Sequence, residues 1–375
     1  MSASGTSSEL FIGLMSGTSL DGVDGVLVDF SATYPQVLAH QALPFTPTLK
    51  QELLALNTPS DNELHRAALA ANSLVEVYAQ TVQALLTSTQ TDLADVCAIG
   101  AHGQTVRHQP GAFDGTGYTL QLNNPALLAE RTGIDVVADF RSRDVAAGGQ
   151  GAPLVPVFHQ GIFGQTESSI GVLNIGGIAN LSILHANGDV LGFDCGPGNA
   201  LLDHWCQQHT GNAFDNNGNW GASGSLIEPL LQTMLNESFL HQAPPKSTGR
   251  DLFHPTWLTQ QLKGFANTNA ADVQATLTEL TARACVNDVQ RHAPNIKELI
   301  VCGGGALNGL LMSRLQVGLP SVQVLSSAER GMPPLQVEAA AFAWLARQTM
   351  RGMPGNLPKV TGAQGARILG GIFKA

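Results

Sequence analysis

The stretch that decides the fold is Gly13-Leu14-Met15-Ser16-Gly17-Thr18-Ser19-Leu20-Asp21-Gly22-Val23-Asp24. It extends the apolar run Phe11–Leu14 and leads into a second run, Val23–Phe30, which predicts a β-hairpin closed by small residues. Small residues let the backbone approach a ligand closely, so amides and hydroxyls can surround phosphate oxygens. The stretch is not a Walker A loop, because no Gly-Lys-Ser/Thr follows. Taken alone, it favours the alternative of a plain hairpin.

Two later segments repeat the pattern of an apolar run followed by glycines. Val172–Ile175 leads into Gly176-Gly177, and Leu299–Cys302 leads into Gly303-Gly304-Gly305. Strands that end in glycine turns are typical of α/β sheets that bind ligands at strand ends. A bulged hairpin and a close helix–strand crossing are the respective alternatives. The order of the three loops resembles that of the actin-like sugar kinase and Hsp70 superfamily, and the paired hairpins hint at an internal duplication.

Helical patterns separate these strands. Helices are predicted at Ser60–Gln83, which opens with the capping box Ser60-x-x-Glu63, and near Asp272–Arg291 and Leu335–Met350. The Pro/Gly-rich passage Ala147–Pro156 suggests a lobe boundary in that part of the chain. We predict a first lobe of residues 1–133 and 339–375, and a second lobe of residues 134–338.

Composition narrows the classes of function. The 375 residues carry a net charge of −10 without a long run of Lys or Arg, so no nucleic-acid or anionic-membrane surface is expected. The five cysteines are scattered without metal-ligand spacing, which predicts reduced thiols in a cytoplasm and no cysteine metal site. No apolar run reaches the roughly 18 residues of a membrane span. The polar start, Met1 to Glu9, lacks signal-peptide order and is expected to be disordered.

One carboxylate stands among small residues in Gly192-Phe193-Asp194-Cys195-Gly196-Pro197-Gly198-Asn199. We expect Asp194 at the end of a strand, facing a cleft, where it could act as a general base. The alternative is that Asp194 hydrogen-bonds the following turn, since Asp-x-Gly-Pro-Gly is good turn chemistry. In isolation the segment slightly favours that alternative.

Charged residues elsewhere leave several interpretations open. In the segment Asp139 to Pro153, either Arg141 or Arg143 could hold a substrate carboxylate in a forked pair, the other being fixed by Asp139 or Asp144. His102-Gly103-Gln104-Thr105 could line the same cleft, although a lone His is more often packed and hydrogen-bonded.

Two further charged residues are candidates. Lys246 opens the basic loop Lys246-Ser247-Thr248-Gly249-Arg250, which could touch ATP phosphates or be merely solvated. Glu338 could bind sugar hydroxyls or complement a helix dipole. Asp21 or Asp24 could orient water on Mg²⁺, and no direct protein metal site is predicted.

Eight segments stand in order from about residue 11 to the C-terminus: Ile12 to Gly22, Ala101 to Thr105, Ala138 to Asp144, Leu173 to Gly177, Phe193 to Asn199, Pro245 to Arg250, Val301 to Ala306 and Glu338 to Ala343. Together they resemble the anhydro-N-acetylmuramic acid kinase family. The resemblance implies a two-lobed α/β actin-like ATPase (ribonuclease H-like) fold with the nucleotide cleft between lobes. It also implies ATP and Mg²⁺ as cofactors, a cytoplasmic homodimer, and an amino-sugar substrate whose 1,6-anhydro ring is opened and phosphorylated at O6 in peptidoglycan recycling.

The resemblance also assigns roles to residues. Asp194 would activate the water that opens the ring, and Thr105, Arg143 and Glu338 would position the sugar. The expected ATP-binding residues are Gly17, Thr18, Ser19, Leu20, Asp21, Gly22, Val23, Asp24, Asn174, Gly176, Gly177, Lys246, Gly303, Gly304 and Gly305. Three rivals remain: a kinase for another metabolite, a non-catalytic ATP-dependent switch or chaperone, and a glycosidase using Asp194 and Glu338.

Overall fold

The computed structural model describes residues 9–17, 20–32, 35–164, 167–244, 246–249 and 252–375. Two compact units emerge, the first formed by Met1–Phe158 and Gln336–Ala375 and the second by His159–Leu335. The units divide after Phe158 and before Gln336, whereas the sequence analysis placed the lobe limits after residues 133 and 338. Those lobe limits stay a prediction.

Twelve strands form two sheets in the described part of the chain. They are β1 (Leu10–Ser16), β2 (Gly22–Asp29), β3 (Gln36–Pro44), β4 (Val96–Pro110), β5 (Gly117–Leu122), β6 (Val136–Ala138), β7 (Ile170–Ile175), β8 (Ile178–Leu184), β9 (Val190–Pro197), β10 (Glu298–Cys302), β11 (Gln323–Ser326) and β12 (Gly371–Phe373).

The sheet of the first unit has the order β12-β6-β4-β1-β2-β3, with β5 paired to β4. Strands β1, β2 and β3 are antiparallel, whereas β4 runs parallel to β1 and β6 runs parallel to β4. The hairpin predicted from the opening stretch is confirmed, because Leu10–Met15 pairs with Asp24–Asp29.

The sheet of the second unit repeats this plan in the order β11-β10-β7-β8-β9. Strands β7, β8 and β9 are antiparallel, β10 runs parallel to β7, and β11 runs parallel to β10. Three antiparallel strands followed by two parallel ones form the ribonuclease H-like arrangement, so the predicted α/β fold class is confirmed in each unit. Two copies of one topology are also what an internal duplication predicts.

Thirteen α-helices accompany the sheets in the described part of the chain. They are α1 (Pro47–Ala55), α2 (Glu63–Thr89), α3 (Pro125–Thr132), α4 (Ser142–Ala146), α5 (Val155–Phe163), α6 (Asn199–Thr210), α7 (Asn219–Ala222), α8 (Glu228–Leu235), α9 (Pro255–Gln261), α10 (Ala270–His292), α11 (Gly309–Gly318), α12 (Val337–Met350) and α13 (Pro358–Thr361). The helices predicted near 272–291 and 335–350 are confirmed as α10 and α12.

The start of α2 differs from the prediction. The helix begins at Glu63 after Asn62, which has left-handed backbone angles and makes no side-chain cap. Half of the expected capping box forms, because the Glu63 carboxylate accepts a bond from the Ser60 backbone. The Ser60 hydroxyl instead accepts a bond from the Arg66 guanidinium. The guanidinium of a residue six positions along the chain therefore takes the place of the helix amide that the sequence motif expected.

The backbone of helix α12 packs directly against the backbone of β1 and β4 at two glycines. A Cβ built on Gly13 would lie 1.9 Å from the Ala339 carbonyl oxygen, and one on Gly100 would lie 2.0 Å from that of Phe342. Neither strand position therefore admits a side chain, and the alanines of α12 keep the helix surface equally flat. This close crossing places Glu338, in the first turn of α12, beside the sheet of the first unit.

Each unit has its own buried apolar core. In the first unit, Leu74, Val82 and Leu85 of α2 pack with residues of β1 and β2. In the second unit, residues of β7 to β10 pack with α10 and α11. None of the helices among the described residues combines the length and apolar character needed to cross a bilayer.

Candidate active site

Tyr78 fixes the start of the first glycine-rich turn. Its hydroxyl donates to Ser16 Oγ over 3.1 Å and accepts from the Gly103 amide over 3.0 Å, while Ser16 Oγ donates to the Gly103 carbonyl. Gln104 Nε2 donates to the Gly17 carbonyl. Burial raises the pKa of Tyr78 to about 12, so the phenol stays protonated and keeps donating. The turn is thereby tied to β4. Thr18 and Ser19 lie outside the described residues.

The rest of the first hairpin offers a ligand its backbone more than its side chains. Leu20 and Val23 are buried in the core of the first unit. A Cβ on Gly22 would lie 2.2 Å from the Leu43 carbonyl oxygen, so this glycine is packed against β3. If these residues contact ATP, they therefore do so through main-chain groups.

The carboxylates of the hairpin already have partners. Asp21 accepts from Lys50 Nζ and Asp24 contacts His40 Nε2, each over 3.0 Å. Within the described ranges, no three His, Cys, Asp or Glu side chains converge as a metal site would require. Mg²⁺ commonly keeps several water ligands and takes few ligands from protein side chains.

Thr105 lies within a strand and not in a loop. The apolar run of residues 97–101 leads into His102, and β4 continues through these polar residues to Pro110. Gly103 has a φ of +79°, and the pairing with β5 is irregular between Thr105 and Arg107, so the strand absorbs the turn-like residues as a local distortion. Thr105 Oγ1 accepts a bond from Gln121 Nε2 over 3.2 Å.

Of the two candidate arginines, Arg141 is the one that the fold holds. Its guanidinium donates to His102 Nε2 and to the Gly151 carbonyl. Burial lowers the pKa of Arg141 to about 10, while the charges of Glu338 and Asp144 act in the opposite direction. Arg141 stays charged at neutral pH and is electrostatically coupled to Glu338.

His102 is a packed residue, as its alternative interpretation expected. Burial, followed by the charge of Arg141, lowers its pKa to about 3, so the ring is neutral. Because Nε2 accepts from Arg141, the ring proton is assigned to Nδ1.

Arg143 is exposed and lines a different part of the first unit. It borders a cavity of about 710 Å³ together with Asp139, Ser142 and Arg367. Neither Asp139 nor Asp144 accepts a hydrogen bond from Arg141, as the sequence had suggested. Asp139 accepts from the Ser142 hydroxyl, and the buried Asp144 accepts from Gly151, Asn356 and Thr361. The structure thus couples Glu338 to Arg141, and gives Arg143 open space.

In the second unit, a row of polar residues crosses three strands. Asn174 on β7 pairs with Asn180 on β8, and Asn180 pairs with Asp194 on β9. Directly opposed residues project from the same face of a sheet, so the three side chains are neighbours. The pairing skips Cys195 between Ala179 and Asn180, and this bulge sets which residue of β9 joins the row.

The Asp194 carboxylate is held by a loop distant in sequence. Oδ2 accepts from Ser247 Oγ over 3.0 Å and from the Thr248 amide over 2.9 Å, and the Asp194 amide donates to the Lys246 carbonyl. Burial raises the pKa of Asp194 above its ordinary value, while the Thr248 amide, the Ser247 hydroxyl and the Lys246 charge oppose that shift. The hydrogen-bond donors to the carboxylate are thus in this loop and not in the Gly-Pro-Gly turn that the alternative interpretation named.

Glycine turns meet beside Asn174. The carbonyls of Gly176 and Gly177 accept from the first amides of α6, at Asn199 and Ala200. Gly303 has a φ of +78°, and a Cβ there would lie 2.5 Å from Asn174 Oδ1. A Cβ on Gly304 would lie 3.2 Å from Asn199 Nδ2, so the two glycine-rich segments converge as the strand-end pattern predicted.

Lys246 does not extend toward this space. Its ammonium lies 2.9 Å from Asp288 Oδ2 and sits over the rings of Phe193 and Phe239. The side chain is 0% exposed, so contact with ATP phosphates would require breaking a buried ion pair. The burial of the Lys246 side chain disfavours the expected phosphate contact, and the lysine itself is not solvated although Ser247 beside it is exposed. We therefore do not include Lys246 among the ATP-binding residues proposed below.

The sequence interpretation passed over two residues of this region, Asn180 and Asn199. Asn199 ends one of the segments quoted above, whereas only the strand register brings Asn180 between Asn174 and Asp194. Asn199 donates through Nδ2 to the Ile175 carbonyl and so links α6 to the end of β7. The row of side chains that begins at Asn174, beside the glycine turns, ends at the half-buried carboxylate of Asp194, whose pKa is raised. This part of the second unit therefore offers a proton acceptor and, in the turns, backbone groups that could bind an anion.

Comparison with known proteins adds a family. Residues 9–375 match the sequence profile of the family described as anhydro-N-acetylmuramic acid kinase. Proteins of that name from Albidiferax ferrireducens and Variovorax paradoxus are each 60% identical to this chain over 98% of it, covering 100% and 99% of their own lengths. The one from Cupriavidus metallidurans is 57% identical, with both chains covered completely.

Among solved structures, the activator of the 2-hydroxyisocaproyl-CoA dehydratase from Clostridium difficile has a TM-score of 0.47 at 12% identity. The alignment covers 93% of this chain and 99% of that one. This likeness is too weak to bear on function.

Proposed function

This chain belongs to the anhydro-N-acetylmuramic acid kinase family, and from that premise we propose that Asp194 is the base of a coupled hydrolysis and phosphorylation. The protein is an ATP-dependent kinase of peptidoglycan recycling. It opens the 1,6-anhydro ring of anhydro-N-acetylmuramic acid and phosphorylates O6, which gives N-acetylmuramic acid 6-phosphate.

The chemistry needs a base because the substrate has no free hydroxyl at C6. Its C1 and C6 share one bridging oxygen, so O6 becomes a nucleophile only when the C1–O6 bond breaks. Water attacks C1 and gives its proton to Asp194, while O6 takes the bonding electrons and attacks the γ-phosphorus of ATP, releasing ADP. A positioned general base supplies a rate factor of about 10² to 10⁴.

The observation that carries the proposal is how Asp194 is held. Two donors, the Ser247 hydroxyl and the Thr248 amide, bind the same oxygen, Oδ2. We assign the acceptance of the water proton to the other oxygen, Oδ1. The raised pKa of Asp194 makes the carboxylate a stronger base than an exposed aspartate.

For ATP we propose backbone contacts from Gly17 and from Leu20, Asp21, Gly22, Val23 and Asp24. In the second unit we propose Asn174, Gly176, Gly177, Gly303, Gly304 and Gly305 as further ATP-binding residues. Thr18 and Ser19 belong to the same proposal from sequence alone. Mg²⁺ would be held mainly by the phosphates of ATP and would neutralise charge during transfer.

For the sugar we propose Thr105, Arg143 and Glu338. The exposed guanidinium of Arg143 is free to form a forked pair with the lactyl carboxylate. Arg141 is a second candidate, because its charge is coupled to Glu338 while its hydrogen bonds go to neutral groups.

We propose that the enzyme works in the cytoplasm as a homodimer. The five cysteines, all in the described part of the chain, are reduced and not in disulfides, which suits a reducing compartment. Sedimentation at micromolar concentration tests the dimer, and a monomeric mass would contradict it.

The test of the reaction is turnover in ¹⁸O-labelled water with ATP, Mg²⁺ and anhydro-N-acetylmuramic acid. We expect a phosphorylated, hydrated product with label at the C1 hydroxyl and none in the phosphate ester. Label in the ester oxygen would contradict direct transfer to the released O6. Turnover without ATP would favour the glycosidase rival, and preference for another metabolite in a substrate screen would favour the other kinase.

A further inference from the structure

Lys246 and Asp288 form an ion pair inside the second unit. The Nζ to Oδ2 distance is 2.9 Å, and the two side chains are 0% and 1% exposed. The lysine lies in the loop before Ser247, and the aspartate lies on α10. Aromatic rings close the lysine side, with Nζ 5.7 Å from the Phe193 ring centre and 5.1 Å from that of Phe239.

Such a pair needs a reason beyond stability. Removing two charges from water costs free energy that their attraction often fails to repay, and apolar residues of similar size commonly do as well. The backbone around Lys246 supplies a reason. Its carbonyl accepts the Asp194 amide over 3.2 Å, and the next two residues donate to the Asp194 carboxylate.

Three consecutive residues, 246 to 248, therefore provide the described hydrogen bonds between Asp194 and this loop. The first of the three is attached to α10 through its side chain, at a point where α10 is itself buried. A shift of Lys246 would move the Ser247 hydroxyl and the Thr248 amide with it.

We propose that the Lys246–Asp288 ion pair positions the Asp194 carboxylate for proton transfer. The proposal rests on the proposed function, in which Asp194 is the base. Lys246 is a positioning residue, because it acts on the reaction through Asp194 and its ammonium is enclosed by protein.

Other titratable groups surround the pair. His292 Nε2 lies 3.9 Å from Asp288 Oδ1, and Arg291 is its neighbour along α10. Burial lowers the pKa of His292 and raises the pKa of Cys195, which is adjacent to Cys285. The imidazole and the thiol are thus neutral near pH 7. The charge on Lys246 is the one that opposes the raised pKa of Asp194.

The test is the double variant Lys246→Met/Asp288→Leu, which replaces the pair by apolar side chains of similar length. We expect a folded enzyme with kcat reduced by at least about tenfold, since small misplacements of a reacting group are costly. The Michaelis constant for ATP should change little. The acid limb of the kcat/KM profile should move to higher pH by about one unit, because a nearby opposite charge is lost.

A second measurement covers the case in which the double variant does not fold. The single variant Asp288→Asn keeps a polar partner for Lys246, and hydrogen exchange at residues 246–249 should become faster in it than in the parent. Leu315→Ala, in the core of the second unit, is the control for general destabilisation. It should lower the thermal midpoint while leaving the pH profile and the exchange of residues 246–249 unchanged.

The outcomes separate the two ideas. A double variant with parental kcat and pH profile would overturn the positioning role and leave Asp194 as the base. Parental activity in Asp194→Asn would overturn the base, and the positioning proposal with it. An equal shift of the pH profile in Leu315→Ala would also overturn the positioning role, because general loosening would then suffice.

Discussion

The two glycine-rich hairpins share a topology but differ in what surrounds them. In the first unit, the turn after β1 is fixed by a protonated phenol, Tyr78, and by the Gln104 amide. In the second, the turn after β7 abuts a row of polar side chains that ends in a half-buried carboxylate, Asp194. One copy of the scaffold thus offers mainly backbone, and the other adds a proton acceptor. A repeated fold can divide binding and chemistry between its copies.

The largest expected effect comes from removing that carboxylate. Asp194→Asn should lower kcat by about 10² to 10⁴, because the amide keeps hydrogen bonds but accepts no proton. Calorimetry should find ATP affinity and the thermal midpoint near the parental values. The matched control is Glu298→Gln. Glu298 lies on β10 and forms an ion pair with Arg330, and this variant should turn over normally. A fully active Asp194→Asn would show that the second hairpin region does not supply the base.

Two glycines sharpen the contrast between packing and binding. Gly13→Ala should destabilise the protein by about 3 kcal/mol or more, because its Cβ would overlap the Ala339 carbonyl and force β1 away from α12. Gly303→Ala should cost about 1 to 3 kcal/mol from its left-handed backbone. It should also raise the Michaelis constant for ATP, since the new Cβ meets Asn174. Denaturant titration and steady-state kinetics measure the two effects, and an unchanged ATP constant would remove Gly303 from the proposed site.

A third test asks whether the sugar depends on the first unit. Arg143→Ala should raise the Michaelis constant for the sugar about tenfold or more, as expected for a lost charge-assisted pair. The constant for ATP should stay the same. Arg141→Ala is the comparison variant, and it should also lose thermal stability because His102 and Gly151 lose a buried donor. A sugar-specific defect only in Arg141→Ala would transfer the carboxylate contact to Arg141.

The smallest effect concerns pH. Activity needs ionised Asp194, and its pKa is raised, so activity should fall on acidification at higher pH than for an ordinary aspartate. Ser247→Ala removes a donor that stabilises the ionised form, which raises that pKa further. The acid limb of kcat/KM should therefore move upward by about 0.5 units. A downward shift would mean that Ser247 favours the protonated carboxyl.

Much of the fold was predictable because its signals are local. Apolar runs ending in glycines located the first hairpin, β7 and β10, and periodicity located α10 and α12. Only half of the capping box at Ser60 forms, because Arg66 binds the Ser60 hydroxyl. The length of β4 is not visible in the sequence, because Gly103 interrupts the apolar pattern but not the strand.

The site was less predictable because its contacts are long-range. Asp194 is bonded to residues more than 50 positions away, and Lys246 is paired 42 positions along the chain. A lysine in a polar loop carries no local sign that a helix will enclose it. The role of Asn180 likewise depends on register, which a single sequence does not reveal.

The bulge at Cys195 has a consequence for changes of chain length. Because β9 has one residue more than β8 can pair, deleting Cys195 would bring Gly196 next to Asp194 in the ladder and remove the kink after it. The turn between β8 and β9, by contrast, contains Asn187 and Gly188 at the protein surface, where an extra residue need not disturb the pairing. We therefore expect insertions to be accepted at that turn and single-residue deletions between Phe193 and Pro197 to abolish turnover.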